Sequence, residues 1–215
     1  MIALRKIRGG ILLFLITVCI SGCTLDRVTA QQGKATGLWE ELVGGKTFGQ
    51  SFVSDLDNLY RIDLSTATFS RVNSAPVIFY LKDSPQANTA IRSITLPGPE
   101  IQNDRPTAFV FEPIPGSAGK SFYFVIESPG ATPGNAITVY ASEYDQYPRG
   151  EAYRNTQIVN GDLAFTAYSR EPFTFSSILR GTTSRAAQDV PFFIFYGALI
   201  LAVIVGLILT IRKGA

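Results

Sequence analysis

The sequence predicts an all-β domain, a β-sandwich, between two hydrophobic terminal segments. Apolar and polar side chains alternate in short runs from residue 44 to residue 175, which is the period of strands with one buried face. Clusters of Gly, Pro, Asn and Asp separate the runs, as in SPGATPGN and EPIPGSAGK, and these residues supply the backbone angles of tight turns. A domain of this size can bury one sandwich core.

The alternation predicts eight strands. They are Thr47–Ser54, Leu59–Ser65, Val77–Lys82, Thr89–Leu96, Thr107–Pro113, Lys120–Ser128, Ala136–Ser142 and Asp162–Ser169. Two strands have a clear apolar row on one face, and we expect both rows in the core. The rows are Phe122, Phe124 and Ile126 in the sixth strand, and Leu163, Phe165 and Ala167 in the eighth.

The C-terminal segment predicts a transmembrane helix. The stretch 191–211 has 21 residues and no charged side chain. At about 1.5 Å per residue, a helix of that length spans the ~30 Å hydrocarbon layer of a membrane. Arg212 and Lys213 follow directly, so the positive-inside rule places the tail 212–215 in the cytoplasm and the domain outside. The Ser/Thr/Ala-rich segment 176–190 is predicted to be a stalk.

The N-terminal segment 1–23 has the pattern of an export signal. Three basic residues precede the ten-residue apolar run Ile11 to Ile20, which is too short to span a membrane comfortably. The run ends in Ile-Ser-Gly-Cys, which resembles the signal of bacterial lipoproteins and makes Cys23 the predicted lipidation site. Two alternatives stay open, conventional cleavage near Ala30 and an uncleaved signal anchor. The uncleaved anchor is kept because a lipid would be redundant beside the C-terminal membrane span.

Residues 24–43 are predicted to be an N-terminal tether, since polar and small side chains dominate the first part of this segment. The only helical candidate in the domain, Gly37–Val43, lies here and is short. Trp39, the single tryptophan, comes just before the first predicted strand. We expect it to cap the edge of the core, because tryptophan is usually largely buried.

Composition excludes several classes of function. The chain contains no histidine, which excludes Ser-His-Asp and Cys-His nucleophiles and His-based zinc or iron sites. Five of the 19 basic residues lie in the terminal segments, so the exported part contains 14 basic and 17 acidic residues. This weakly acidic balance predicts no nucleic-acid partner. Gly-Gly-Lys-Thr at 44–47 has the wrong spacing for a phosphate loop and is predicted to be a turn.

The acidic side chains suggest two candidate sites, one catalytic and one for calcium. A glycosidase needs two acids about 5 to 10 Å apart, and Glu127, Glu143 and Asp145 are the candidates, although solvated surface acids are common. Asp55 and Asp57 provide the hard oxygen ligands that calcium prefers, but an Asp/Asn turn between two strands needs no metal. We therefore expect no enzyme activity and no cofactor, with calcium as the alternative.

The stretch from Tyr140 to Tyr153 is the main candidate for a ligand site. Its candidate contact residues are Tyr140, Glu143, Tyr144, Asp145, Tyr147 and Tyr153. Aromatic rings pack on the C–H faces of sugars, and carboxylates accept hydrogen bonds from sugar hydroxyls, so an exposed loop of this composition suits a glycan. The alternative is that some of the tyrosines fold inward as a lid over the open end of the sandwich.

Three segments together resemble a known domain. They are KTFGQSFVSDLDNLYRIDL, FVFEPIPGSAGKSFYFVIESP and GNAITVYASEYDQYPRGEAYRNTQIVNGDLAFTAY. The group they resemble is an uncharacterised jelly-roll-like domain of bacterial membrane proteins, which often accompanies membrane glycosyltransferases. The resemblance extends from about residue 44 to residue 170. It implies a jelly-roll-like antiparallel β-sandwich similar to carbohydrate-binding modules.

These observations predict a membrane-anchored, extracytoplasmic binding module for a glycan or a protein partner of the cell envelope. A structural or assembly subunit of a membrane complex is the alternative. A carboxylate-based glycosidase is a third interpretation.

Overall fold

The structure, a computed structural model, describes residues 24–172 and, in the C-terminal segment, the helical residues 191, 194, 195, 197–199 and 201. Residues 26–171 form one compact unit. Within the described part of the chain, no helix combines the length and the apolar character that a membrane crossing requires. The predicted signal segment with Cys23, the stalk and the tail lie outside the described residues, as does most of the predicted span.

Thirteen strands are found in residues 24–172. In chain order they are β1 (Thr24–Gln32), β2 (Gly37–Leu38), β3 (Thr47–Val53), β4 (Leu59–Ala67), β5 (Val77–Lys82), β6 (Arg92–Leu96), β7 (Arg105–Ile114), β8 (Ser121–Glu127), β9 (Thr138–Ser142), β10 (Ala152–Arg154), β11 (Gln157–Val159), β12 (Asp162–Leu163) and β13 (Phe165–Pro172). A short 3-10 helix, Gly98–Glu100, lies between β6 and β7.

The strands form two sheets. The first has the order β1-β13-β4-β9-β12, with β7 also beside β4 and β2 beside β9. The second has the order β11-β10-β3-β8-β5-β6. Most strand pairs are antiparallel, as for β3 with β8 and β4 with β7. The predicted all-β sandwich is confirmed.

Aromatic side chains from the two sheets meet in the core. Phe79 of β5 stacks on Phe109 of β7 with ring centroids 4.6 Å apart. Phe52 of β3 lies 5.7 Å from Phe165 of β13, centroid to centroid. The two predicted core rows, in β8 and in β12 and β13, are confirmed, because all six side chains are buried. Each large apolar side chain buried in this way stabilises the fold by about 1.5–3 kcal/mol.

The eight predicted strands are present, although β6 begins only at Arg92 and the eighth is divided into β12 and β13. The prediction of a tether at 24–43 is wrong, because this segment contains β1 and β2, and the helical candidate Gly37–Val43 is not a helix. Trp39 caps the core edge as predicted: it is buried and meets Phe48 edge to face at 5.1 Å. The strands β10 and β11 were also missed, since each has only three residues.

The polar sequence of β1 explains the error about the tether. Its buried side chains include Thr29 and Gln32. Thr29 shares a hydrogen bond with Ser54, with 2.9 Å between their hydroxyl oxygens, and Gln32 donates one to the backbone oxygen of Asp162 at 3.4 Å. Buried polar groups with such partners are well tolerated. A strand that buries hydroxyl and amide groups therefore shows no apolar alternation.

The two ends of the sandwich are formed by different parts of the chain. Arg27 of β1 lies beside Glu171 of β13, with the charged atoms 3.8 Å apart, so the domain begins and ends at one end, here called the proximal end. Pairing of β13 and β7 with β4 places Leu59 and Ile114 near this end and Ala67 and Arg105 at the other. At that other end, the distal end, lie the loops 68–76, 97–104 and 128–137.

The outer face of the second sheet is also covered by side chains. Tyr123 and Val125 of β8 are buried there with Tyr153 of β10, and Tyr80 packs against them. Gly49 of β3, which pairs with Val125 and Tyr153, lies beneath the ring of Tyr123. The missing side chain at Gly49 provides the space for the ring.

Gly49→Ala is therefore expected to destabilise the domain by about 1–3 kcal/mol, the usual cost of overpacking. A β-carbon at this position would lie 2.7 Å from Cε2 of Tyr123, which is itself buried. Gly37→Ala is the matched control, because a β-carbon at Gly37 meets no atom within 4 Å. Urea unfolding of both variants tests the expectation, and equal midpoints for the two would contradict it.

Candidate functional site

A buried carboxylate holds the tyrosine-rich stretch in place through hydrogen bonds. Asp162 of β12 accepts hydrogen bonds from the side-chain amide of Gln50 at 2.8 Å and from the backbone N–H groups of Gln146 and Tyr147 at 2.7 and 2.9 Å. The amide oxygen of Gln50 accepts a further bond from the N–H of Leu163 at 3.0 Å. Asp162 and Gln50 therefore fix the loop 143–151 onto β3 and β12.

The environment of Asp162 also changes its acidity. Burial raises the pKa of this carboxyl above its ordinary value, and this effect outweighs the hydrogen bonds from Gln146, Tyr147 and Gln50, which lower it. A folded-state pKa above the unfolded-state value means that the folded protein binds the proton more tightly. The contribution of Asp162 to stability is therefore largest at low pH and falls as the pH rises through the raised pKa.

Two of the predicted ligand tyrosines are buried. The Tyr147 hydroxyl donates to the backbone oxygen of Val53 at 3.3 Å, and its ring lies 5.5 Å from that of Phe165. Burial raises the pKa of Tyr147. Tyr147 therefore folds inward with its hydroxyl on a backbone group, while Tyr153 covers the outer face of the second sheet against Tyr123, with centroids 5.0 Å apart. Neither ring is available as a sugar platform.

The other four predicted ligand residues lie in two separate places. Glu143, Tyr144 and Asp145 lie exposed in the loop after β9, with 63% of the Tyr144 surface accessible. Tyr140 lies within β9, and its hydroxyl donates to the carboxylate of Asp104 at 2.6 Å. The structure therefore does not bring the six predicted residues together into one surface.

Tyr140 lines a cleft of about 330 Å³ at the distal end of the sandwich. Other lining residues are Gly33, Ser65, Asp104, Arg105 and Pro106. A second cleft of about 380 Å³ lies on the other side of Arg105 and Pro106, which line both. Arg105 and Pro106, at the start of β7, therefore separate two clefts at the distal end.

Hydrogen bonds fix the polar groups of the Tyr140 cleft. Asp104 has a positive φ of 54° and accepts bonds from Tyr140 and, at 2.6 Å, from the side-chain amide of Asn103. Donation to Asp104 raises the pKa of Tyr140 further above neutral pH. The cleft thus offers a carboxylate acceptor, the exposed cation Arg105 and one aromatic ring, which are groups that bind hydroxylated ligands.

The carboxylates proposed for catalysis or calcium have other neighbours. Glu127 accepts a hydrogen bond from the Tyr80 hydroxyl at 3.1 Å, and Glu127, Glu143 and Asp145 line neither distal cleft. Asp55 pairs with Arg149 at 2.7 Å, and Asp57 accepts a bond from the backbone of Ala118. In the part of the chain that the structure describes, no group of three His, Cys, Asp or Glu side chains is arranged to hold a metal ion.

No protein-family model matches the chain, and no curated protein matches it. Sequence reasoning missed Asp104 and Arg105 of the cleft and the partnership of Gln50 with Asp162. Gln50 and Asp162 are 112 positions apart, and nothing in the local pattern distinguishes either residue. Asn103-Asp104 is a turn sequence, which could have indicated the positive φ at Asp104 but not its bond to Tyr140.

Asp162→Asn is expected to destabilise the domain by about 1–3 kcal/mol. The carboxylate accepts from three donors, whereas an amide has one accepting oxygen, so every orientation of the new side chain leaves a donor facing a donor. Asp145→Asn, at an exposed position in the same loop, is the control and is expected to be neutral. Urea unfolding at pH 4 and pH 7 also tests the raised pKa of Asp162. The difference in the free energy of unfolding between the parent protein and D162N should be smaller at pH 7 than at pH 4.

Proposed function

We propose that this protein is a membrane-anchored, extracytoplasmic binding module of jelly-roll-like fold, which presents its distal end to a ligand. The observation that supports the proposal is the position of the two ends of the domain. Arg27 and Glu171 lie side by side, so the segments that lead to Cys23 and to residue 191 leave the sandwich at the same end. Anchors attached there leave the opposite, distal end free for a ligand.

The sequence supplies the anchors in this proposal. The uncharged stretch 191–211 has the length of a membrane-spanning helix, and Cys23 ends a lipoprotein-like signal. A lipid on Cys23 and a membrane-spanning helix together make release of the domain from the membrane very unlikely. The cytoplasmic tail 212–215 follows from the positive charges of Arg212 and Lys213.

Cys23→Ser is expected to abolish incorporation of a labelled fatty acid while the protein stays in the membrane fraction. Deletion of 191–211 alone should keep both the label and membrane attachment, and the two changes together should release the domain. Metabolic labelling and membrane fractionation measure both properties. Membrane-bound protein in the doubly altered chain would point to the uncleaved signal anchor instead.

The ligand that best fits the Tyr140 cleft is a glycan. Asp104 can accept from sugar hydroxyls, Arg105 can donate to them, and the ring of Tyr140 provides a flat apolar face. This chemistry also agrees with the resemblance to carbohydrate-binding modules. The proposal includes no reaction and no cofactor.

A polysaccharide array tests the glycan proposal with the full-length protein in lipid nanodiscs. The parent protein should bind at least one polysaccharide, and Tyr140→Ala should weaken binding about tenfold or more, the value of one aromatic contact with its hydrogen bond. Tyr144→Ala is the matched control, because Tyr144 is exposed but lines neither distal cleft. Loss of binding in Tyr144→Ala alone would move the site to the loop 143–145.

If no polysaccharide binds, the second candidate function, an assembly subunit that contacts a protein, becomes the better explanation. A specific observation favours it as well. Two large apolar side chains, Phe69 and Val72, are exposed in the distal loop 68–76.

A further inference from the structure

The arginines of the domain differ in how their charge is compensated. Eight arginines lie in the described residues 24–172. Five of them form ion pairs with carboxylates, namely Arg27, Arg61, Arg71, Arg149 and Arg154. No ion pair to a described carboxylate is found for the other three, Arg92, Arg105 and Arg170. Two of these three, Arg92 and Arg170, line the same cleft.

This cleft, here called the arginine cleft, lies where an edge strand of one sheet meets an edge strand of the other. β6 is the last strand of the second sheet, and β7 lies beside β4 in the first sheet. The arginine cleft has a volume of about 400 Å³, which is within the usual range of ligand pockets. Its lining residues are Arg92, Ser93 and Ile94 of β6, Val110, Phe111, Glu112 and Pro113 of β7, and Arg170 of β13.

A β-bulge shapes the β7 side of the arginine cleft. Leu59 of β4 pairs with Ile114, whereas Arg61, only two residues later, pairs with Val110. One residue of β4 therefore lies opposite three residues of β7, 111–113, and all three line the cleft. Bulges redirect side chains and are common beside functional sites.

Both guanidinium groups are held by neutral partners. Arg92 donates from Nε to the backbone oxygen of Glu112 at 3.2 Å and from Nη1 to that of Ile91 at 2.9 Å. The guanidinium of Arg170 lies 4.1 Å from the centre of the buried Tyr60 ring. Its Nε is buried and has no hydrogen-bond partner among the described residues. A partly buried cation without a counter-charge is unfavourable, so an anion in the cleft would stabilise both groups.

The remaining lining residues indicate the chemical class of that anion. Guanidinium groups bind carboxylates and phosphates through paired, charge-assisted hydrogen bonds. Glu112 and Ser93 can bond to hydroxyl groups, and Val110, which is 52% accessible, can contact C–H groups. A sugar ring that carries a carboxylate has all three features, whereas a phosphate group has neither hydroxyls nor a C–H face. The cleft therefore suits a uronic acid better than a phosphate.

We propose that the arginine cleft binds the carboxylate of a uronic acid unit in an acidic polysaccharide. In this arrangement Arg92 and Arg170 donate to the carboxylate oxygens, Glu112 and Ser93 bond to ring hydroxyls, and Val110 packs on the ring. The inference goes beyond the proposed function, because it assigns a second site and an acidic ligand. It does not depend on binding in the Tyr140 cleft.

Binding to polygalacturonate, alginate and hyaluronate tests the proposal. The full-length protein is held in nanodiscs of phosphatidylcholine, a lipid without net charge. At least one of the three polymers should bind. Where polygalacturonate binds, its fully methyl-esterified form should bind at least tenfold more weakly, because the ester keeps the sugar and removes the charge. Absence of binding to all three polymers, or equal binding of acid and ester, would overturn the proposal.

Substitutions locate the polymer on the domain. Arg92→Gln and Arg170→Gln should each weaken binding about tenfold or more, the usual effect of losing a hydrogen bond between charged groups. Arg149→Gln is the matched control, because it removes the same charge at a residue that pairs with Asp55 and lines none of the three clefts. Equal weakening in the control would show attraction by overall charge and would overturn the proposal.

Thermal unfolding of each variant separates loss of the site from loss of the fold. Arg170 stacks on Tyr60, so Arg170→Gln can also lower stability. Arg92 bonds to backbone oxygens at the protein surface, and Arg92→Gln therefore decides the outcome if Arg170→Gln unfolds. Unchanged binding in a folded Arg92→Gln variant would contradict the proposal.

Phosphate competitors test the choice of a uronic acid. Polyphosphate and vesicles that contain phosphatidylglycerol should each bind more weakly than the preferred uronate polymer. In Glu112→Gln the ratio of the affinity for that polymer to the affinity for polyphosphate should fall at least threefold, since Glu112 repels phosphate and accepts from hydroxyls. Tighter binding of either phosphate probe, or an unchanged ratio, would overturn the assignment to a uronic acid.

Tyr140→Ala and Arg105→Gln distinguish this inference from the proposed function. Both residues line the Tyr140 cleft and neither lines the arginine cleft, so both variants should keep uronate binding. Loss of uronate binding in these variants alone would place the polymer in the Tyr140 cleft and reject the inference. Uronate binding that depends on Arg92, without any polysaccharide that depends on Tyr140, would support the inference and reject glycan binding in the Tyr140 cleft.

Discussion

The buried carboxylate of Asp162 joins segments of the domain that are far apart in the sequence. It accepts bonds from Gln50 in β3 and from the backbone of the loop 143–151, and its own backbone oxygen accepts one from Gln32 in β1. A buried charge without such donors would be strongly unfavourable. The three donors to its carboxylate make burial possible, and each donor in turn requires its segment to stay in place. The network therefore specifies one arrangement of the two sheets at this edge of the sandwich.

The position of the tyrosine-rich stretch follows from this network. Because Asp162 holds the N–H groups of Gln146 and Tyr147, the ring of Tyr147 is directed inward against Phe165. Tyr147 is thereby removed from the exposed surface of the loop, on which Glu143, Tyr144 and Asp145 remain. Tyr140 is held separately by its bond to Asp104 at the distal end. The buried acid thus makes Tyr147 a structural residue, whereas the position of Tyr140 depends on Asp104.

The sequence predicts the strands well and the site poorly, for one physical reason. Alternation such as Phe122, Phe124 and Ile126 reflects burial of one face, which is a local property of a strand. The polar strand β1, the bond from Gln50 to Asp162 and the cleft of Tyr140 and Asp104 depend on partners between 25 and 130 positions away. Local patterns contain no information about such pairs. The expected glycan platform was therefore predicted from composition alone, and the fold divided it.

The segment 39–43 shows how the distal surface depends on the core. Trp39 and Leu42 are buried, and the backbone of this segment donates to β9 and to the loop that precedes it, at Val139 and Ile137. These contacts fix the backbone of Glu41, whose side chain points away from the core and accepts bonds from Arg71 and Gly134 in two different distal loops. The turn at Phe69, in which Phe69 and Ser70 have positive φ angles of 54° and 59°, is thus held by a residue whose own position is set by the core. Because the same segment continues from β1, a domain shortened to residue 44 would lose the core edge and the support of the distal turn together.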